Sequence, residues 1–495
     1  MRRIDILSFV IIVLITWACQ NENCRRHSNE KTTGKYFEAK QQHRDVAALT
    51  LFFAAMPKGG DLHNHYSGAV YAETYLEWAD SLHYRLNAQT FTLDTSRLHP
   101  GKMSISFDSL QRNPGLYRAV IETWSDLDYS NHFQLQDPPD QHFFNTFNYF
   151  GPVSGVDYKK GLKELKNRAQ KENVQYIETM LKSPDYSMKY SPILVDSLRS
   201  FQVKKDTLKL SGIFDLFSKM ISSDPSYRPA VGKYLASLYA CHDGIDDSTF
   251  TMRFQDYVNR NSRPEDVFTR LYFCFDAVNT DHSNLLVGVN IVAPENRTTS
   301  MHDYWLHMQI FRYLKKKFPG VKTSMHAGEL CIGMVKPEDL TFHIHDAVFI
   351  ANTDRIGHGV DLPFETKAFE ILHAMKKRAV AVEINLTSNE FILGVKGNTH
   401  PVNIYYKAGV PIVISTDDAG VSRISLTTEF VKLASRYNFS YQQIKSFVYN
   451  SIQYSFMNAG DKKANVQRLD RKFEEFELGI AIFVKEHPEK KGITF

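Results

Sequence analysis

Val321-Lys322-Thr323-Ser324-Met325-His326-Ala327-Gly328-Glu329 is a strand-forming run that ends in an imidazole, with a carboxyl one tight Ala-Gly turn later. Working outward, the same arrangement recurs. Gly59-Gly60-Asp61-Leu62 leads into His63-Asn64-His65, Gly288-Val289-Asn290-Ile291-Val292 is followed by Glu295, Arg355-Ile356-Gly357 by His358, and Pro411-Ile412-Val413-Ile414-Ser415 by Thr416-Asp417-Asp418. β-Branched and aromatic runs mark eight strands, near 61–63, 174–178, 250–257, 285–291, 321–326, 355–358, 379–385 and 411–417. Helix-period segments separate most of them; in 264–280, for example, Pro264 opens the helix and Glu265 and Asp266 sit in its first turn. A second such helix is expected over 426–437. Eight strand-then-helix units predict an α/β fold, a closed (β/α)8 barrel of the TIM type whose strand C-terminal ends gather the polar residues on one rim.

Length and charge bound the rest. The 495 residues, 43% hydrophobic, suffice for one large domain with decoration, and 59 basic against 55 acidic residues give no basic face, so nucleic acid is not an expected partner. Residues 1–19 read as a signal peptide: Arg2-Arg3, an apolar stretch from Ile6 to Ala18, then Cys19. Ala18-Cys19 resembles a bacterial lipoprotein processing site, although Thr16 and Trp17 depart from its usual pattern. The expectation is export, with lipidation at Cys19 anchoring the chain at the bacterial envelope and ordinary secretion as the alternative. Residues 20–35 are polar and read as a tether, and 36–56 as a helical segment preceding the barrel. Insertions are expected near 86–140 and 185–247, either of which could cover the barrel mouth. The five cysteines include no CxxC pair, so neither a disulfide framework nor a cysteine metal site is indicated.

The rim residues carry the chemistry. His63 and His65, two apart on an extended segment, project to one side. Taken alone, such a pair often arises by chance, Glu329 beside His326 could be a cap next to a buried imidazole, and His358 could be structural. Asp417 and Asp418 are adjacent carboxylates at a buried strand end, which repel unless a cation lies near. Three imidazoles and a carboxylate are a ligand set that zinc accepts, with a position left for water, and this points to a metal-dependent hydrolase.

The order HxH, HAGE, GH and DD, with Met56-Pro57-Lys58-Gly59-Gly60-Asp61-Leu62 in front and Asn450-Ser451-Ile452-Gln453-Tyr454-Ser455-Phe456 near the end, resembles the adenosine deaminase family, and within it the secreted, growth-factor-like branch. The resemblance covers roughly residues 56–456. It implies one Zn2+ per chain on His63, His65, His326 and Asp417. Glu329 would protonate purine N1, His358 would orient the zinc-held water and take its proton, and Asp418 would contact N7 and that water. Glu178, Glu295 and Gly328 would be further substrate contacts, Glu178 on the ribose. The implied reaction is hydrolytic deamination of adenosine and 2′-deoxyadenosine to inosine and ammonia, and the implied partner is a purine nucleoside. The 36–56 segment is compatible with the homodimer that the secreted branch forms through N-terminal helices.

Two departures stand out. Ala293 occupies the position of a family glycine whose backbone meets purine N3, and residues 86–140 lack the cysteines of the secreted branch's insertion, so growth-factor activity is not implied. The HxE and PCxxC signature of the other zinc deaminase architecture is missing. The rim also lacks a lysine of the kind that bridges two metals when carboxylated. The competing readings are deamination of adenine or a modified adenine nucleoside, and a surface module that binds nucleosides without turnover.

Overall fold

The computed structural model describes residues 25–96, 100–131 and 137–487. Eight parallel strands follow one another in chain order: β1 (Gly59–His65), β2 (Val174–Met180), β3 (Thr251–Asn259), β4 (Leu286–Val292), β5 (Lys322–Ala327), β6 (Arg355–His358), β7 (Ala381–Ile384) and β8 (Ile412–Ile414). They fall on the eight positions expected from sequence. The last strand returns to the first just past β8, where Asp417 N–H donates to the His63 carbonyl (2.8 Å) and His65 N–H to the Asp417 carbonyl (3.2 Å). The barrel therefore closes at the residues that carry the rim chemistry.

Strands fully buried on both faces read as largely apolar runs, as β8 does and β4 does apart from Asn290, whereas the equally buried β2 carries Gln175, Glu178 and Thr179. Helices coat the outside. Pro264–Thr280 keeps its expected bounds, and Leu426–Arg436 opens on a capping box between Ser425 and Thr428. At Gly357 an added Cβ would lie 2.7 Å from His63 Cε1, so a glycine is needed for β6 to pass beneath that imidazole.

Two expectations about organisation are corrected. Residues 25–42 form a helix, so the described part of the presumed tether is helical: it docks through the buried Thr33 and Gly34, and the same helix continues with the fully buried Phe37 and with Gln41, which donates to the carbonyls of Ala434, Tyr437 and Phe439. Polar composition misled here because one apolar face is enough to dock a helix. The 36–56 segment is not one helix but the end of this one, a break at 43–45, and Val46–Ala55 capped by Asp45. The predicted signal segment and Cys19 lie outside the described residues.

Of the two insertions, the first is the roof. After a small antiparallel sheet (Arg85–Asn87, Leu93–Asp94, Ser104–Ile105) and two helices comes Pro139–Ser154, just past the expected boundary at 140, which lays Phe143, Phe144 and Phe147 over the barrel mouth. It is anchored beside the rim, where Asp126 N–H donates to the Val421 carbonyl and Ser422 Oγ to Asp126 Oδ2. The second insertion forms three helices (Pro192–Val203, Thr207–Ser223, Tyr227–His242) on the barrel flank; Tyr227 and Arg228 hold Asp276 of the 264–280 helix. No helix among the described residues is long and apolar enough to cross a membrane.

Candidate metal centre and catalytic site

At the C-terminal rim a cavity of about 400 Å3 is floored by His65, His326, Glu329, His358, Asp417 and Asp418, walled by Tyr257, Asn259 and Val292–Pro294, and roofed by the phenylalanines of the insertion helix. His63 and His65 end β1, His326 ends β5, and Asp417 follows β8. Their donor atoms converge: His63 Nε2 and His65 Nε2 each lie 3.1 Å from His326 Nε2, and 3.4 and 3.3 Å from Asp417 Oδ1. A tetrahedron with bonds of about 2.0–2.1 Å has edges of about 3.3 Å, so the four groups have the spacing of a zinc ligand set.

Hydrogen bonding on the far side of each ring strengthens the fit. His63 Nδ1 is 2.7 Å from Glu383 and His326 Nδ1 is 3.0 Å from Asn290 Oδ1, so both donate outward and turn their Nε2 atoms towards each other, a pairing that needs either a proton or a cation between them. Burial alone would lower the His63 pKa, but hydrogen bonds to Asp417 and Glu383 push it up to about 10, so a metal entering here displaces a proton. Glu383 is held in turn by Ser324 and by the buried Arg355, which also binds Glu178.

His358 is different. Val402 N–H donates to His400 Nδ1 (3.2 Å), His400 Nε2 faces Asn389 Oδ1 (3.1 Å), and the Asn389 amide donates to His358 Nδ1 (2.9 Å). Burial lowers both imidazoles to about 3, so each is neutral, and the chain of bonds fixes their tautomers. The His358 proton therefore sits on Nε2, buried without a hydrogen-bond partner among the described residues, 3.7 Å from Glu329 and 3.9 Å from Asp417 Oδ2. Although its Nε2 lies close enough to join a metal cluster with His63, His326 and Asp417, it is a donor aimed at the cavity. In this tautomer the ring presents an N–H to the cavity, where the expectation has it taking a proton.

The carboxyls divide by environment. Burial would raise Asp417, but hydrogen bonds from His63 and His65 hold it well below the usual range. Burial and the Asp417 charge push Asp418 well above it, and its Oδ1 has no hydrogen-bond partner among the described residues. Glu329 is likewise pushed well up, by burial and then by the charges of Asp417 and Glu295. An ionised ligand thus stands beside two carboxyls that favour holding a proton.

Three expected substrate contacts fall elsewhere. Glu295 is buried behind Glu329: it accepts from the Gly328 and Glu329 N–H groups (3.2 and 2.8 Å) and lies 2.5 Å from His343 Nδ1 and 3.3 Å from Arg260. It sets the turn that aims Glu329. Gly328 spends its N–H on that contact and adopts φ +71° where a Cβ would meet Asp361 at 2.2 Å, so its role is conformational. Glu178 is fully buried within the barrel, bonded to Tyr176, Gln255, Arg355 and the Phe456 N–H, and does not line the cavity. The supporting residues Glu383, Asn290, Asn389, His400 and Arg260 were not singled out from the sequence. Charged or amide residues within apolar strands, such as Glu383 in Ala381–Ile384, were the available signal.

Residues 238–472 match the family model of adenosine deaminase. The adenosine deaminase of Clostridium acetobutylicum is 32% identical over 152 residues, covering 30% of this chain and 42% of the relative, so the chain spans about two fifths of the length of that curated relative. Among solved structures, Arabidopsis ADAL complexed with IMP superposes with a TM-score of 0.55 at 17% identity, over 86% of this chain and 99% of that one. A cog1816 amidohydrolase from Burkholderia ambifaria with bound Zn gives 0.52 at 16%, over 88% and 94%. Identities this low speak to the fold, which is the barrel described above. The similarity to the adenosine deaminase family thus covers residues 238–472, which hold β3 to β8 with His326, Glu329, His358, Asp417 and Asp418.

Proposed function

We propose that the chain is a zinc-dependent deaminase that hydrolyses adenosine, and 2′-deoxyadenosine, to inosine and ammonia. The observation that carries this reading is the convergence of three imidazole nitrogens and one carboxylate at 3.1–3.4 Å on a cavity that also receives Glu329, His358 and Asp418. The curated relatives' name and the zinc bound in one structural neighbour support it.

Zinc held by His63, His65, His326 and Asp417 would supply a water acidic enough to act as nucleophile near neutral pH. The remaining work belongs to the chain. Glu329, kept protonated by burial, delivers its proton to ring N1 as C6 becomes tetrahedral, so negative charge does not build up on the purine. The His358 Nε2–H orients the attacking oxygen from one side. With a cation held by the four ligands, its positive charge would offset the burial and the Asp417 repulsion that hold the Asp418 proton, and Asp418, ionised in that state, would accept that oxygen's proton and pass it to the departing ammonia. The aromatic roof excludes bulk water, which strengthens these contacts. Export and anchoring through Cys19 complete the proposal and rest on the sequence of the first nineteen residues.

The test is an absorbance assay of purified protein with adenosine, 2′-deoxyadenosine and adenine, alongside metal analysis. The expected result is one zinc per chain and turnover of the two nucleosides, lost on chelation, restored by zinc, and reduced at least about 100-fold in Glu329→Gln with zinc retained. Turnover of adenine alone would move the substrate assignment to the free base. Absence of zinc and of turnover would overturn the reading.

A further inference from the structure

A second cavity, of about 380 Å3, adjoins the first. The two share Phe147, Tyr257, Asn259 and Val292, and none of the metal-binding or proton-transferring groups lies in this common wall. Whatever extends from one to the other leaves from the end of the substrate remote from the reacting atom. In a nucleoside that end is the sugar.

The chemistry of the two cavities is opposite. The first is floored by three carboxyls, Glu329, Asp417 and Asp418. The second is lined by Lys182 and Arg270, with Ser183, Ser262 and Asn259 as neutral hydrogen-bonding groups. Both cations share one partner: Asp185 lies 3.2 Å from Lys182 Nζ and 3.3 Å from Arg270 Nη2, so two positive charges face a single carboxylate. Arg270 Nε is buried with no hydrogen-bond partner among the described residues. Two further carboxyls stand nearby: Asp224 accepts from the lining Tyr186 hydroxyl (2.8 Å), and Asp256 accepts from the Ser183 N–H and is pushed up to about 6 by burial. A guanidinium with unused donors beside an ammonium, in a partly enclosed pocket, matches a phosphate group.

We infer that the Lys182–Arg270 cavity is a phosphate subsite and that the substrate class extends to adenine nucleoside 5′-phosphates, the base lying over Glu329 and the phosphate between Lys182 and Arg270. This rests on the proposed deaminase reading for the position of the base. Side-chain exposures of 50% and 28% for Lys182 and Arg270 mean that both can be replaced without opening the core.

The test reads binding, so it survives failure of the activity. Calorimetry of the zinc-loaded full chain compares IMP with inosine, and inorganic phosphate alone. Expected is IMP binding about tenfold or more tighter than inosine, the size of one charge-assisted contact. That ratio should fall to near one in Lys182→Ala/Arg270→Ala and rise in Asp185→Asn, which removes the competing carboxylate without changing side-chain size. Inosine binding as tightly as IMP, or a ratio indifferent to all three substitutions, overturns the subsite. Inorganic phosphate binding with no advantage of IMP over inosine overturns its link to the substrate, leaving a free-anion site. If neither adenosine nor AMP is deaminated while the IMP ratio behaves as expected, the deaminase reading fails and the subsite stands.

Discussion

Asn389 decides what His358 can do. Its amide donates to Nδ1 and so keeps the proton on Nε2, while His400 and the Val402 N–H fix which way the amide faces. Asn389→Asp replaces that donor with an acceptor and draws the imidazole proton to Nδ1. The expected outcome is a 15N shift pattern for His358 reporting Nδ1–H, with unchanged zinc content and kcat lowered about 100-fold, the range of a mispositioned acid–base group. Retained or increased kcat would show that His358 works as a base. The identity of His326, Glu329, His358 and the two aspartates as rim residues was legible because each ends or closely follows a strand-forming run. Their protonation was not, because it depends on partners tens to hundreds of positions away.

At the scale of elements, the turns that leave the strands carry the strain. Ala293 after β4 has φ +84° and Asp417 after β8 has φ +61°, both in the left-handed region that side chains disfavour. Gly328 after β5 occupies the same region, and an added Cβ there would run into Asp361 and Ile344. Ala293→Gly therefore relieves left-handed strain but adds unfolded-state entropy; denaturant titration should find it between neutral and about 1 kcal/mol more stable. Gly328→Ala should cost about 2–3 kcal/mol and swing Glu329 off its mark, because the new methyl has nowhere to go. Equal stabilities for the two variants would contradict this account. The strands themselves were readable from residue type. The docked helix over 25–42 and the roof helix were misjudged because docking faces and insertion paths are set by what they pack on.

Across the whole molecule, buried ion pairs join the barrel strands. Burial would raise Glu295, but Arg260 and His343 hold it at about 2, against an ordinary value of 4.5. A carboxyl depressed by folding contributes stability that is fully present above its ordinary value and lost as pH falls from about 4.5 towards 2, on the order of 3 kcal/mol for this shift. Urea midpoints of metal-free protein should therefore drop steeply between pH 5 and 3, and Glu295→Gln should flatten that slope while lowering stability at pH 7. A slope unchanged by the substitution would remove Glu295 from the acid response. By itself, the sequence determined the eight-stranded barrel and the identity of the rim groups, because strand period, turn residues and donor types are local properties. Only the tertiary structure decided that Glu178 and Glu295 brace rather than bind, that the first insertion and not the second roofs the mouth, and that a cationic cavity adjoins the site, because each depends on which distant side chains share a neighbourhood.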